Sequence, residues 1–115
     1  RVLEEGLQWD RAIEEYNKAK KLDPTDSIYY YALGNIYTAR AHFDFLDKDY
    51  LELAINNYNR AIRLNSHQGN YYVALGNLYI NLGYKDLALR NLSKALSLDP
   101  NNNSYRQLIN LSNIE

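Results

Sequence analysis

The 115 residues carry 13 basic and 14 acidic side chains, a net charge of −1, and no block of like charge. That excludes the clustered basic surface that nucleic acid or an anionic membrane requires. No cysteine is present, so there is no disulfide framework and no thiol chemistry, and the compartment stays open. No apolar run reaches the ~20 residues of a membrane span, these residues contain no signal peptide, and the length suits one domain.

In chain order, Arg1 to Gly6 reads as the end of a first helix. The chain has no methionine, which predicts a segment of a longer protein. Trp9 to Leu22 is expected as the partner helix, with Trp9, Ala12, Ile13, Tyr16 and Ala19 on one face. Lys18, Lys20 and Lys21 suit the C-terminal end of its dipole, and Asp23-Pro24 stops it. Trp9, three residues before the small Ala12, reads as packing at the turn of that pair.

Ser27 is the expected N-cap of the next helix, which carries Tyr30, Leu33, Gly34 and Tyr37. The returning helix, Tyr50 to Leu64, has Ala54, Tyr58 and Ala61 as its stripe and Asp49 with Glu52 as a capping box. Between them, residues 39–53 hold Phe43, Phe45, Leu46, Tyr50 and Leu51. These aromatics either close the tip of the pair or form an exposed apolar contact surface at Phe43, Phe45 and Leu46.

Asn65, Ser66 and Gly69 then end the helix. A third pair follows, with Tyr72, Leu75, Gly76, Tyr79 and Leu82 on its first helix, a turn at Gly83, and Ala88, Leu92, Ala95 and Leu96 on its second. A glycine inside a helix costs about 1 kcal/mol against alanine, and its recurrence marks a close backbone approach. Asp99-Pro100 and Asn101 to Asn103 stop the second helix. Asn103 to Glu115 starts another, with Tyr105, Leu108, Ile109 and Ser112 on a common face.

These landmarks recur at fixed offsets. Leu33-Gly34 and Tyr37 return as Leu75-Gly76 and Tyr79, and Ala12, Ala19 and Pro24 are matched at the same offset by Ala54, Ala61 and Ser66. Ala54 and Ala61 return as Ala88 and Ala95 at an offset shorter by eight. The interval from Leu33 to Ala54 exceeds that from Leu75 to Ala88 by the same eight positions. The middle unit therefore holds eight extra residues, about one more turn on each helix and a projection of about 6 Å.

The pattern resembles the tetratricopeptide repeat (TPR): W-x2-L-G-x2-Y, then A-x3-F, then A and P, in a unit of about 34 residues. Tyr72 stands where the tryptophan would be, Leu92 where the phenylalanine would be, and Ser66 where a proline would be. The resemblance implies an all-α fold, an α-solenoid of antiparallel helix pairs wound into a right-handed superhelix. Its units would be 1–26 (the end of a first helix plus a second helix), 27–68 with the eight-residue insertion, and 69–102 as a full repeat. Residues 103–115 would be a terminal cap or the start of a further unit, with Ile109-Asn110 in place of Leu-Gly.

In such arrays the first helix of each pair lines a concave face. The positions opposite the stripe are Ile28, Tyr31, Asn35, Thr38 and Ala39 in one unit and Asn70, Val73, Asn77, Ile80 and Asn81 in the next. In several peptide-binding members an asparagine just after Leu-Gly grips the ligand backbone, and Asn35 and Asn77 match that position. An amide offers both donor and acceptor. The competing reading is compositional, since the chain has fifteen asparagines. Members that clamp an acidic carboxylate carry lysine and arginine near Tyr31 and Val73, where Ala32 and Ala74 follow in this chain, so a mixed polar-aliphatic peptide is expected.

No catalytic constellation appears. His42 and His67 lie far apart in the chain on different elements, and no phosphate loop, nucleophile elbow or HExxH helix is present. Asp44, Asp47 and Asp49 beside His42 lack the glycine and the final glutamate of a calcium loop and read as a charged turn, so no metal or cofactor is expected. Asn91, Asn102 and Asn110 begin glycosylation-type triplets, a weak signal in so asparagine-rich a chain. The expected function is protein–protein interaction, with a peptide or partner helix on the concave face. The alternatives are a structural spacer that self-associates end to end, or a regulatory segment of an enzyme.

Overall fold

The computed structural model describes residues 2–44 and 47–113, with side chains from residue 8 onward. Six helices follow one another: α1 (Val2–Leu22), α2 (Ser27–Phe43), α3 (Lys48–Leu64), α4 (Gly69–Asn81), α5 (Lys85–Leu98) and α6 (Asn103–Ser112). No strand occurs among the described residues, and consecutive helices pack as antiparallel pairs within two units, residues 1–64 and 65–115.

In the first unit the antiparallel register is visible in its aromatic contacts. Tyr31 meets Tyr58 early in α2, and Tyr37 stacks on Tyr50 later in it. Lys20, late in α1, lies over Tyr30, whereas Trp9 meets Phe43 at the far end of α2. Leu33, Leu51, Ala54, Tyr58 and Ala61 form the buried stripe. Burying a leucine fully contributes about 1.5–3 kcal/mol.

Three local expectations are corrected here. No break separates Gly6 from Trp9, because α1 runs continuously from Val2 to Leu22. Gly6 takes no positive φ, and a lone glycine without proline or asparagine beside it costs a helix about 1 kcal/mol without ending it. Trp9 therefore packs from within a helix and not at a turn. The cap of α2 is Asp26, whose carboxylate accepts from the Ile28 amide at 3.0 Å; Ser27 is the first helical residue and is buried. The cap of α3 is Asp47, whose Oδ1 accepts from the Asp49 and Tyr50 amides at 2.9 and 3.3 Å. A carboxylate just outside the first free amides satisfies them better than one already inside the helix.

The eight extra residues are distributed along the pair. α2 and α3 have 17 residues each, against 13 in α4 and 14 in α5. That places four in the first helix, three in the second and one between them.

In the second unit α4 is closed off by Gly83, just beyond its C-cap Leu82 and the described glycine with a positive φ (83°). The Gly83 amide donates to Ile80 O at 3.0 Å and the Tyr84 amide to Tyr79 O at 2.8 Å. This paired closure needs the left-handed residue that only glycine adopts at no cost. Leu75 and Tyr72 on α4 are buried, as are Ala88, Leu92 and Ala95 on α5. Tyr71 and Leu78 are buried as well, on a second face of α4. Asn102 caps α6 by accepting from the Tyr105 amide at 3.1 Å, and the Tyr105 ring closes on Gly69.

Candidate functional site

Gly34 decides the first unit's local chemistry. A Cβ there would overlap the ring of Tyr58, so the glycine lets the α3 tyrosine cross beside the α2 backbone. Tyr58 is 2% exposed, yet its hydroxyl emerges among Asn35 and Thr38. It donates to Asn35 Oδ1 at 2.7 Å and lies 3.2 Å from Thr38 Oγ1. Thr38 Oγ1 also lies 2.8 Å from the Gly34 carbonyl, to which it donates. Two hydroxyl protons thus serve three contacts, and the two short ones claim them.

The short Tyr58–Asn35 separation is the commonest O–H···O distance and lies at the short limit of N–H···O pairing. It places the amide oxygen of Asn35 toward Tyr58 and its Nδ2 outward. Asn35 itself is exposed. Burial pushes the Tyr58 phenol up to about 12, with the neighbouring Thr38 hydroxyl acting the other way.

The second unit is built differently. A Cβ at Gly76 would meet Leu92 Cγ at 3.0 Å and the Ala88 carbonyl at 3.3 Å, so a leucine fills the place Tyr58 takes in the first unit. Asn77 is exposed, with Ile80 and Leu92 where the first unit has the hydroxyls of Thr38 and Tyr58. Asn70 and Asn81 are exposed and Val73 is half-buried. Ile80 lines a surface cavity of about 210 Å³ with Gly83, Lys85, Leu111 and Ser112.

The structure thus gathers Tyr31, Asn35 and Thr38 around Tyr58, with the Tyr31 ring 6.0 Å from it. On the second surface, Phe43 is 41% exposed but packs edge-on against Trp9 at 5.1 Å. Arg40 braces that end of the unit: it pairs with Asp10 and lies over the rings of Trp9 and Tyr50. Phe45 and Leu46 lie outside the described residues. Asp47 is occupied in capping α3, and no three His, Asp or Glu side chains gather as a metal site among the described residues. No described helix is long and apolar enough to cross a membrane.

Tyr58 is the residue that sequence reasoning placed only in the core. Its signal was a paired change between units. Thr38 and Tyr58 in one become Ile80 and Leu92 in the other, so two hydroxyls that face each other give way to two apolar side chains.

Residues 8–39 match a family model described as TPR repeat, a span covering the later part of α1 and most of α2. Residues 69–102 match one described as tetratricopeptide repeat. No curated protein matches the chain. Among solved structures, the MamA protein is 31% identical over 90% of this chain and 52% of its own, with a TM-score of 0.75. YrrB, described as a TPR protein with an unusual peptide-binding site, is 26% identical over 96% and 53%, with a TM-score of 0.72. The Arabidopsis OM64 TPR domain shares the fold at 19% identity over 97% and 86%, with a TM-score of 0.77. The chain spans about half the length of MamA and of YrrB.

Proposed function

We propose that this chain, which belongs to the tetratricopeptide repeat family, is a protein–protein interaction module and not an enzyme, taking an extended peptide on the exposed face of α2, with α4 offering the equivalent face in its own unit. The observation that carries the reading is the setting of Asn35. It follows directly on a glycine buried against Tyr58, stands exposed on a packed helix, and has its amide oxygen already bonded. A polar group so held binds with little loss of side-chain freedom.

The likeness to YrrB, a TPR protein with an unusual peptide-binding site, supports the same class of ligand. The neighbouring face positions Tyr31, Ala32, Val73 and Ala74 carry no cation, which favours a mixed polar-aliphatic peptide over an acidic tail. Among the described residues, the titratable groups shifted from their ordinary values are Lys18, Tyr37, Arg40 and Tyr58, each held in structural contacts.

The test is a peptide-display selection on the 115-residue chain, counter-selected with the Asn35→Ala/Asn77→Ala double mutant. Peptides that need these asparagines are expected, each lost hydrogen bond costing about 0.5–1.5 kcal/mol of binding. Enrichment of peptides indifferent to both substitutions, or of none, would overturn the reading in favour of a spacer or assembly segment.

A further inference from the structure

We infer that Tyr58 is a positioning residue for ligand contact at Asn35: its buried hydroxyl fixes the amide with Nδ2 outward, so that the group recognised there is a main-chain carbonyl of the peptide. This rests on the peptide-binding reading above. The geometry supplies each step. Tyr58 Oη donates to Asn35 Oδ1 at 2.7 Å, its ring is immobilised against Gly34, and Thr38 lies on its other side. An amide whose oxygen is engaged offers two N–H donors outward and at most one remaining lone pair. The ligand atom opposite Asn35 is therefore an acceptor.

The second unit makes the inference specific to this side chain. Leu92 stands at the position of Tyr58 and Ile80 at that of Thr38, so Asn77 has no hydroxyl to choose its orientation. Its amide can turn over and meet either a carbonyl or an N–H of a peptide. Two asparagines at the same repeat position thus perform different tasks. Asn35 is a fixed donor that sets which ligand group is accepted, and Asn77 adapts.

Tyr58→Phe separates this role from packing, because the ring that fills the space at Gly34 is kept and one hydroxyl is removed. The first readout needs no ligand: NMR order parameters of the side-chain NH2 groups in the free 115-residue chain. Asn35 is expected to be ordered in the wild type, above Asn77, and to fall to the Asn77 level in Tyr58→Phe, with Asn77 unmoved. A mobile Asn35 in the wild type, or one unaffected by the substitution, would overturn the positioning role whatever becomes of the peptide.

The second readout is affinity for a display-selected peptide that depends on Asn35. Tyr58→Phe should weaken it about three- to tenfold, and Asn35→Asp, which keeps an acceptor for Tyr58 but has no donor, more than tenfold. Asn77→Asp should cost several-fold less than Asn35→Asp. Equal losses at the two positions would refute the assigned polarity. If no selected peptide depends on Asn35, the peptide-binding reading fails and the ligand half of this inference falls with it, while the order parameters still decide whether Tyr58 holds the amide.

Discussion

The ring of Tyr58 occupies the space into which a Cβ on Gly34 would project. One contact thereby fixes how closely α3 approaches α2 and where the tyrosine hydroxyl emerges. Gly34→Ala forces a methyl group into a ring that is 2% exposed and has no room to retreat. The expected loss is about 2–3 kcal/mol, overpacking outweighing the roughly 1 kcal/mol that alanine gains in helix propensity. Gly6→Ala is the matched control. Among the described residues nothing lies within 4 Å of a Cβ there, so the same substitution should be neutral or stabilising by up to about 1 kcal/mol. Urea unfolding of both variants decides the matter, and equal effects would contradict the close approach.

Gly76 sets a graded version of the same test. Its Cβ would meet Leu92 side-chain atoms at 3.0 and 3.1 Å and the Ala88 carbonyl at 3.3 Å. A leucine side chain can give way slightly where a backbone carbonyl cannot. Gly76→Ala should therefore cost less than Gly34→Ala, about 1 kcal/mol, whereas Gly76→Leu should unfold α4 and α5. A Gly76→Leu variant that retains full helicity and a cooperative melt would show that these helices do not pack through this glycine.

How much of this was legible in the sequence follows from the distance over which each signal acts. The buried stripe Ala54, Tyr58, Ala61 and its counterpart Ala88, Leu92, Ala95 could be read directly, because helical periodicity and a fixed repeat spacing are local. Proline and asparagine located the ends of α1 and α5 for the same reason. Gly6 misled because glycine signals a turn only when the backbone needs a positive φ, as at Gly83, and the residues beside Gly6 do not reveal that it does not.

The caps shifted toward Asp26 and Asp47 because several polar residues near each start compete, and geometry chooses among them. For the candidate site, the sequence placed Tyr31, Asn35 and Thr38 on one face of a helix. It did not show that they meet Tyr58, since contacts 20 to 23 residues apart depend on the register of α2 on α3. That register is shared by both units, with Gly34 against Tyr58 and Gly76 against Leu92, and it emerges only once the helices are packed.

The three turns that precede α2, α4 and α6 offer a stabilising prediction. Asp26 and Asn102 cap their helices through side-chain oxygens, and Gln68, in the same extended conformation (φ −98°, ψ 104°), makes no side-chain cap bond. The longer amide of glutamine overshoots the free amides that aspartate or asparagine reaches. Gln68→Asp should raise stability by about 0.5–1 kcal/mol, and Asp26→Ala should lower it by about 1 kcal/mol. Thermal denaturation of the two variants would show opposite shifts; a lower melting temperature for Gln68→Asp would refute the shared cap geometry.

Alkaline pH probes the buried phenol directly. Burial raises the Tyr58 phenol to about 12 and raises that of Tyr37 as well. Each holds its proton more tightly when folded than when unfolded, where a tyrosine titrates near 10. The stabilisation linked to Tyr58 is therefore complete below pH 10 and disappears as the pH rises toward 12. Tyr58→Phe removes this dependence and leaves that of Tyr37 in place. The stability of the wild type relative to Tyr58→Phe should thus be constant from pH 7 to 9 and then fall by about 2 kcal/mol as pH 12 is approached. Isothermal urea unfolding of both proteins at pH 7, 9, 10.5 and 11.5 measures that difference. A difference that stays flat across the whole range would mean the Tyr58 hydroxyl is open to water, and with it would go the enclosed setting that holds the Asn35 amide in place.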